Sequence, residues 1–207
     1  MRAKLLLGVL WFVSAATAVA ADLAPSEYLD ERTGATLTVT REALVFAFER
    51  STLAANARDY VTLTAVEVDR SGQLQVYLIG YFWSTIDRRA GHVLADLAQR
   101  PIELSADGRV IRLVRAAEFP KDLLDGKRLL APQSSHVESA AFVVSREILR
   151  YLAASKHLSL AFALDSQDAD SQGDAALDAE REVYQPWGNG QQALAAFVAQ
   201  SAGFHQP

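Results

Sequence analysis

Short alternating segments joined by tight polar turns, with helical periodicity gathered in the second half, predict an α+β fold. The expected architecture is a largely antiparallel multi-stranded sheet built from hairpins, with two helices of the C-terminal half packed on it. Two turn signals anchor this reading. Ser71-Gly72 separates the apolar runs Tyr60 to Arg70 and Leu74 to Ile86, and Asp107-Gly108 separates Pro101 to Ala106 from Arg109 to Arg115. Glycine takes the positive φ of a two-residue turn at no steric cost, so each pair closes a hairpin.

The elements follow in order. Residues 22–34 are polar and hold Pro25 and Gly34, which predicts an arm or loop. Ala35 to Thr40 alternates Thr with Leu and Val, and Leu44 to Glu49 places Leu44, Phe46 and Phe48 on one face. Both have the period of a half-buried strand. The Ala-rich stretch 51–59 predicts a short helix with Ser51 as its cap. Leu74 to Ile86 is apolar on both faces, as a central strand covered on both sides requires. On it Tyr77, Tyr81 and Trp83 share one side and Phe82 takes the other. An exposed stripe of that kind would stack sugars, but its apolar neighbours Leu78 and Ile79 place it in the core.

Residues 116–136, with Pro120, Gly126 and Pro132, read as irregular. Val137 to Val144 is a strand, and Ser145 caps a helix over 146–155 whose Ile148, Leu149 and Leu152 share a face. Leu158 to Leu164 is a further strand, and 165–182 is an acidic loop expected to be mobile. A last helix opens at Asn189, with Gln192 three residues on and Leu194, Phe197 and Val198 inward.

The first residues carry an address. Arg2 and Lys4 precede an uncharged run, Leu5 to Ala20, that ends in small residues including Ala18-Val19-Ala20. That order is a secretory signal peptide. As a helix the run would reach about 24 Å, short of the roughly 30 Å hydrocarbon core of a bilayer. Cleavage after Ala20 or Ala21 is expected, which leaves residues 21–207 as one α+β domain in a periplasmic or secreted setting, with no membrane span. The Ala- and Arg-rich composition suggests a bacterial source.

Composition then narrows the chemistry. The formal charge is −5 and grows two units more negative once Arg2 and Lys4 leave, which disfavours nucleic-acid partners. The chain contains no cysteine, which excludes thiol catalysis, disulfides, iron–sulfur clusters and thiolate zinc sites.

Candidate sites are few. Asp168, Asp170 and Asp174 sit in an Asp168-x-Asp170-x-Gln172-Gly173-Asp174 run that overlays the first half of a calcium loop. Alternating carboxylates supply the hard oxygens that calcium prefers. The twelfth position, however, is Ala179, with Glu180 one residue late. Gly188-Asn189-Gly190-Gln191-Gln192-Ala193 matches the dinucleotide fingerprint in form, but too little chain follows for the required strand and acid. No cofactor is therefore expected; the acidic loop reads first as a solvated segment, with a weak calcium site at Asp168, Asp170 and Asp174 as the alternative. Of the four histidines, His92, His136, His157 and His205, no two have helical zinc spacing. There is no G-x-S-x-G elbow. The remaining catalytic candidates are Asp87, Arg88 and His92, beyond the end of the apolar strand 74–86. The expectation is a non-catalytic envelope or secreted module that binds a protein, glycan or lipid-like ligand. The alternative is a secreted hydrolase acting through Asp87, Arg88 and His92.

Overall fold

The computed structural model describes residues 23–49, 57–85, 92–163 and 182–203. Among these residues eleven strands form one antiparallel sheet: β1 (Ser26–Asp30), β2 (Ala35–Val39), β3 (Leu44–Glu49), β4 (Arg58–Arg70), β5 (Gln73–Ser84), β6 (Ile102–Ala106), β7 (Arg109–Arg112), β8 (Val114–Arg115), β9 (Glu138–Val143), β10 (Leu158–Phe162) and β11 (Val183–Trp187). Three helices accompany them among the described residues: α1 (His92–Gln99), α2 (Arg146–Ala154) and α3 (Gly190–Gly203).

The α+β expectation therefore stands in its broad form, but the sheet is a nearly closed barrel. The strand order is β7-β6-β10-β11-β3-β4-β5-β9-β8. Its two ends belong to one stretch of chain. β7 pairs with β6, the Leu113 amide donates to the Ile102 carbonyl at 2.9 Å, and Val114 and Arg115 pair with Val143 and Phe142 of β9. The Ala116 amide continues that ladder to the Ala141 carbonyl at 2.8 Å.

Both hairpin turns form as their residues dictate, with positive φ at Ser71-Gly72 and at Asp107-Gly108. β4 and β5 pair over their whole length, from Asp59↔Ser84 to Arg70↔Gln73. β2 and β3 follow one edge of β4 in sequence, Val39 opposite Val66 and Leu44 opposite Leu63.

Alternation along these strands separates two cores. Phe46, Val61, Leu63, Leu78, Phe82, Leu104, Phe142, Leu160 and Tyr184 fill the barrel together with Leu94 and Leu97 of α1, Leu149 and Leu152 of α2, and Leu194 and Phe197 of α3. The opposite face of β2, β4, β5 and β9 presents Leu37, Val66, Val68, Tyr77, Ile79, Tyr81 and Ala141. The irregular segment 116–137 lies over it and inserts Leu123 and Leu129, with Phe119 packed alongside. β5 is thus buried on both faces, as its composition predicts. Burial pushes the Tyr81 phenol up to about 12.

The helix ends are tied by side chains. Ser145 Oγ accepts from the Ile148 amide at 3.2 Å, the cap that the sequence indicates. The Gln191 side-chain amide donates to the Leu152 and Ser155 carbonyls at the C-terminal end of α2. Arg115 donates to the Ala98 carbonyl at 2.6 Å, so the strand that closes the barrel also caps α1.

Several expectations need correction. Residues 26–30 are a strand, not part of a polar arm, because Tyr28 packs toward the second core while β1 ladders onto β2. Helix α1 was not anticipated. Its Leu94, Leu97 and Ala98, spaced i, i+3 and i+4, make an inward stripe. Val183–Trp187 is a strand despite Pro186, which pairs with β3 opposite Phe46. The helix expected over 51–59 falls on residues that lie outside the described ones, apart from Ala57 and the start of β4.

Gly190 is required by contact rather than by φ. A Cβ there would sit 2.0 Å from the Ala43 carbonyl oxygen. Gly190→Ala is expected to lower stability by about 1–3 kcal/mol, read as a lower denaturant midpoint at unchanged slope. A wild-type midpoint would contradict the close approach of α3 to the β2–β3 connection.

Candidate functional site

Asp87 and Arg88 lie outside the described residues, as do Asp168, Asp170 and Asp174. His92 is the first residue of α1, and its side chain also lies outside what the structure describes. The other two described histidines are on the surface. His136 is exposed with Nδ1 3.1 Å from the Ser135 hydroxyl. His157 is exposed too, and its amide donates to the Asp107 carboxylate at 2.9 Å. The Lys156 amide donates there as well, and these two bonds hold the Asp107 carboxyl below its ordinary range. They staple the β6–β7 turn to the α2–β10 turn. Among the described residues no group of three or more His, Asp or Glu side chains converges as a metal site would require.

The structure does bring together residues that the sequence left unassigned. A cleft of about 540 Å³ opens between the β1–β2 turn and the segment 121–128. Leu29 and Leu124 stand at it, 60% and 59% exposed, while Leu37 beneath belongs to the second core. Exposed leucines of that degree are informative when two share one concavity.

Charges frame the leucines. Asp30 accepts from the Thr33 hydroxyl at 2.8 Å and from the Arg32 amide at 3.1 Å. The Thr33 bond is the main reason that its carboxyl titrates below the usual range, with the Arg32 amide and the Arg32 and Arg128 charges adding to it. The Arg32 guanidinium lies 3.8 Å from Asp30 and donates to the Lys121 carbonyl, so the turn grips the segment opposite. Arg128 pairs with Asp125 at 3.2 Å and lies 5.3 Å from the centre of the Tyr28 ring. Asp122 is buried and accepts a two-pronged contact from Arg70.

These carboxylates are each engaged by a cation or a hydroxyl. Asp30 is shifted in the direction opposite to a general acid working near neutral pH. The groups that line the cleft include apolar contacts from Leu29 and Leu124 and guanidinium donors from Arg32 and Arg128.

A second polar-aromatic surface lies on the outer face of β3, β4, β5 and β11. Tyr60 and Trp83 stack at 4.2 Å with 9° between their planes, and Arg58 lies 4.9 Å from the centre of the Trp187 ring. Trp187 is half exposed. Tyr77 and Tyr81 are buried under the segment 116–137, so the stripe weighed in the sequence divides between core and surface.

No protein-family model matches the chain, and neither a curated protein nor a solved structure matches it.

The Asp30 environment gives a pH prediction. Its folded-state value lies below the unfolded one, so the ionised group stabilises the fold above the unfolded value, and that contribution is lost as pH falls through the folded value. Carboxyl-carbon NMR titration is expected to place Asp30 below an ordinary aspartate, and Thr33→Val is expected to raise it. An unchanged titration in Thr33→Val would remove the hydroxyl as the main cause.

Proposed function

We propose that this chain is an exported, non-catalytic binding module that takes a protein partner at the cleft between β1 and the segment 121–128. The observation that carries the reading is the pairing of two exposed leucines with two guanidinium groups in one concavity. Arginines beside apolar anchors suit a protein interface, where they supply directional hydrogen bonds around a desolvated patch.

The fold supports the same choice in two ways. The barrel interior is filled by Phe46, Phe82, Phe142 and Tyr184, so binding is assigned to the outside. Among the described residues β1 pairs with β2 alone, which leaves its other edge to accept an extended segment by strand addition. Export rests on the Arg2 and Lys4, Leu5 to Ala20 and Ala18-Val19-Ala20 pattern.

Three measurements test this reading. A photo-crosslinking residue at Leu29 or Leu124, in protein expressed in its own host, is expected to give one discrete adduct that is absent at Val110 and is lost on Arg128→Glu. Adducts that ignore position would overturn the cleft. A chain with hydrolytic activity that disappears in Asp87→Ala, Arg88→Ala or His92→Ala would replace the binding reading with the secreted hydrolase. The intact mass of the protein from the extracytoplasmic fraction is expected to match residues 21–207 or 22–207. A full-length mass from the cytoplasm would refute export.

A further inference from the structure

The segment 116–137 covers an apolar sheet face without being part of the sheet. It holds a single 3-10 turn, Lys121–Leu123, between Pro120 and Leu124. Beyond the Ala116 amide on the Ala141 carbonyl, its described polar ties to the body are all made by side chains. Arg70 grips the Asp122 carboxylate through Nε and a terminal nitrogen. The Thr64 hydroxyl donates to the Leu129 carbonyl at 2.9 Å, and Arg32 donates to the Lys121 carbonyl.

The closed position also holds unfavourable features. Leu130 adopts φ +61°, a region that disfavours a branched L side chain. It ends a turn in which the Ala131 amide reaches the Gly126 carbonyl at 2.8 Å, the bond pattern in which glycine ordinarily takes this position. Asp122 is 4% exposed, whereas its partner Arg70 is about half exposed. Closing therefore strips water from the carboxylate, and among the described residues Arg70 alone compensates.

We propose that segment 116–137 is a detachable cover, latched by the Asp122–Arg70 pair, that opens while the barrel stays folded. Opening hydrates Asp122, releases the constraint at Leu130 and uncovers Tyr77, Ile79, Tyr81, Val66 and Val68. The barrel keeps its own core, because the residues under the cover form a cluster separate from the one inside. Local opening of this kind is the usual behaviour of elements held by few backbone ladder bonds.

The absence of cysteine makes the test clean. Ala140 and Ala141 are neighbours on β9, and both are nearly fully buried, yet Ala140 faces the barrel core and Ala141 the covered face. In the single variants Ala140→Cys and Ala141→Cys, a thiol reagent is expected to label position 141 at least about tenfold faster, under conditions where circular dichroism stays native. Adding Asp122→Asn is expected to accelerate labelling at 141 and leave 140 unchanged. Equal labelling of the two positions, each at the global unfolding rate, would overturn the proposal. So would an Asp122→Asn effect shared equally by both. If Asp122→Asn does not fold, the comparison of 140 with 141 in the otherwise native chain decides alone.

Discussion

The fold depends on one change of partner at Leu113. Upstream of it the chain ladders onto β6, and downstream it ladders onto β9. An open sheet of this length would leave a row of unpaired amides and carbonyls at each end, with the attendant risk of edge-to-edge association. By passing from one end of the strand order to the other, residues 109–115 satisfy both edges with a single segment. Leu113 itself is buried in the barrel core, so the residue that switches partner is also fixed by packing.

Closure explains how the interior is used. Phe82 and Phe162 approach at 6.1 Å and Phe162 meets Tyr184 edge-on at 5.4 Å, which brings β5, β10 and β11 into one aromatic cluster. Each such ring contributes about 1.5–3 kcal/mol when removed from water. A barrel of this size fills its inside with side chains. On the outer face of β5 the same alternation leaves Tyr77, Ile79 and Tyr81 needing cover. Segment 116–137 supplies it, and by crossing toward the β1–β2 turn it also forms one wall of the candidate cleft. The cleft, the buried Asp122 and the covered sheet face are therefore consequences of one strand that is apolar on both sides.

What was legible in the sequence was local. The Ser71-Gly72 and Asp107-Gly108 hairpins, the Ser145 cap and the double-sided burial of β5 each depend on a few adjacent residues, and each forms as those residues indicate. The inward Leu194 and Phe197 of α3 were legible for the same reason. What was not legible depends on distant partners. β1 is polar by composition and becomes a strand because β2 offers it a ladder. Pro186 argues against a strand, yet β11 forms around it between β10 and β3. Barrel closure depends on a contact between residues 113 and 102 on one side and 114 and 143 on the other, which no local pattern announces. The candidate cleft has the same character. Asp30, Arg32, Asp122 and Arg128 belong to two turns far apart in the chain, and each turn alone reads as solvated surface.

The most direct measurement is the set of cross-strand nuclear Overhauser contacts made by residues 109–116. A chain that switches partner at Leu113 gives contacts from Arg109 to Ala106 and from Ile111 to Leu104, together with contacts from Val114 to Val143 and from Ala116 to Ala141. If the β6–β7 contacts appear without those from Val114 to Val143, the sheet is open, and the account of a filled barrel that binds on its outer surface is wrong.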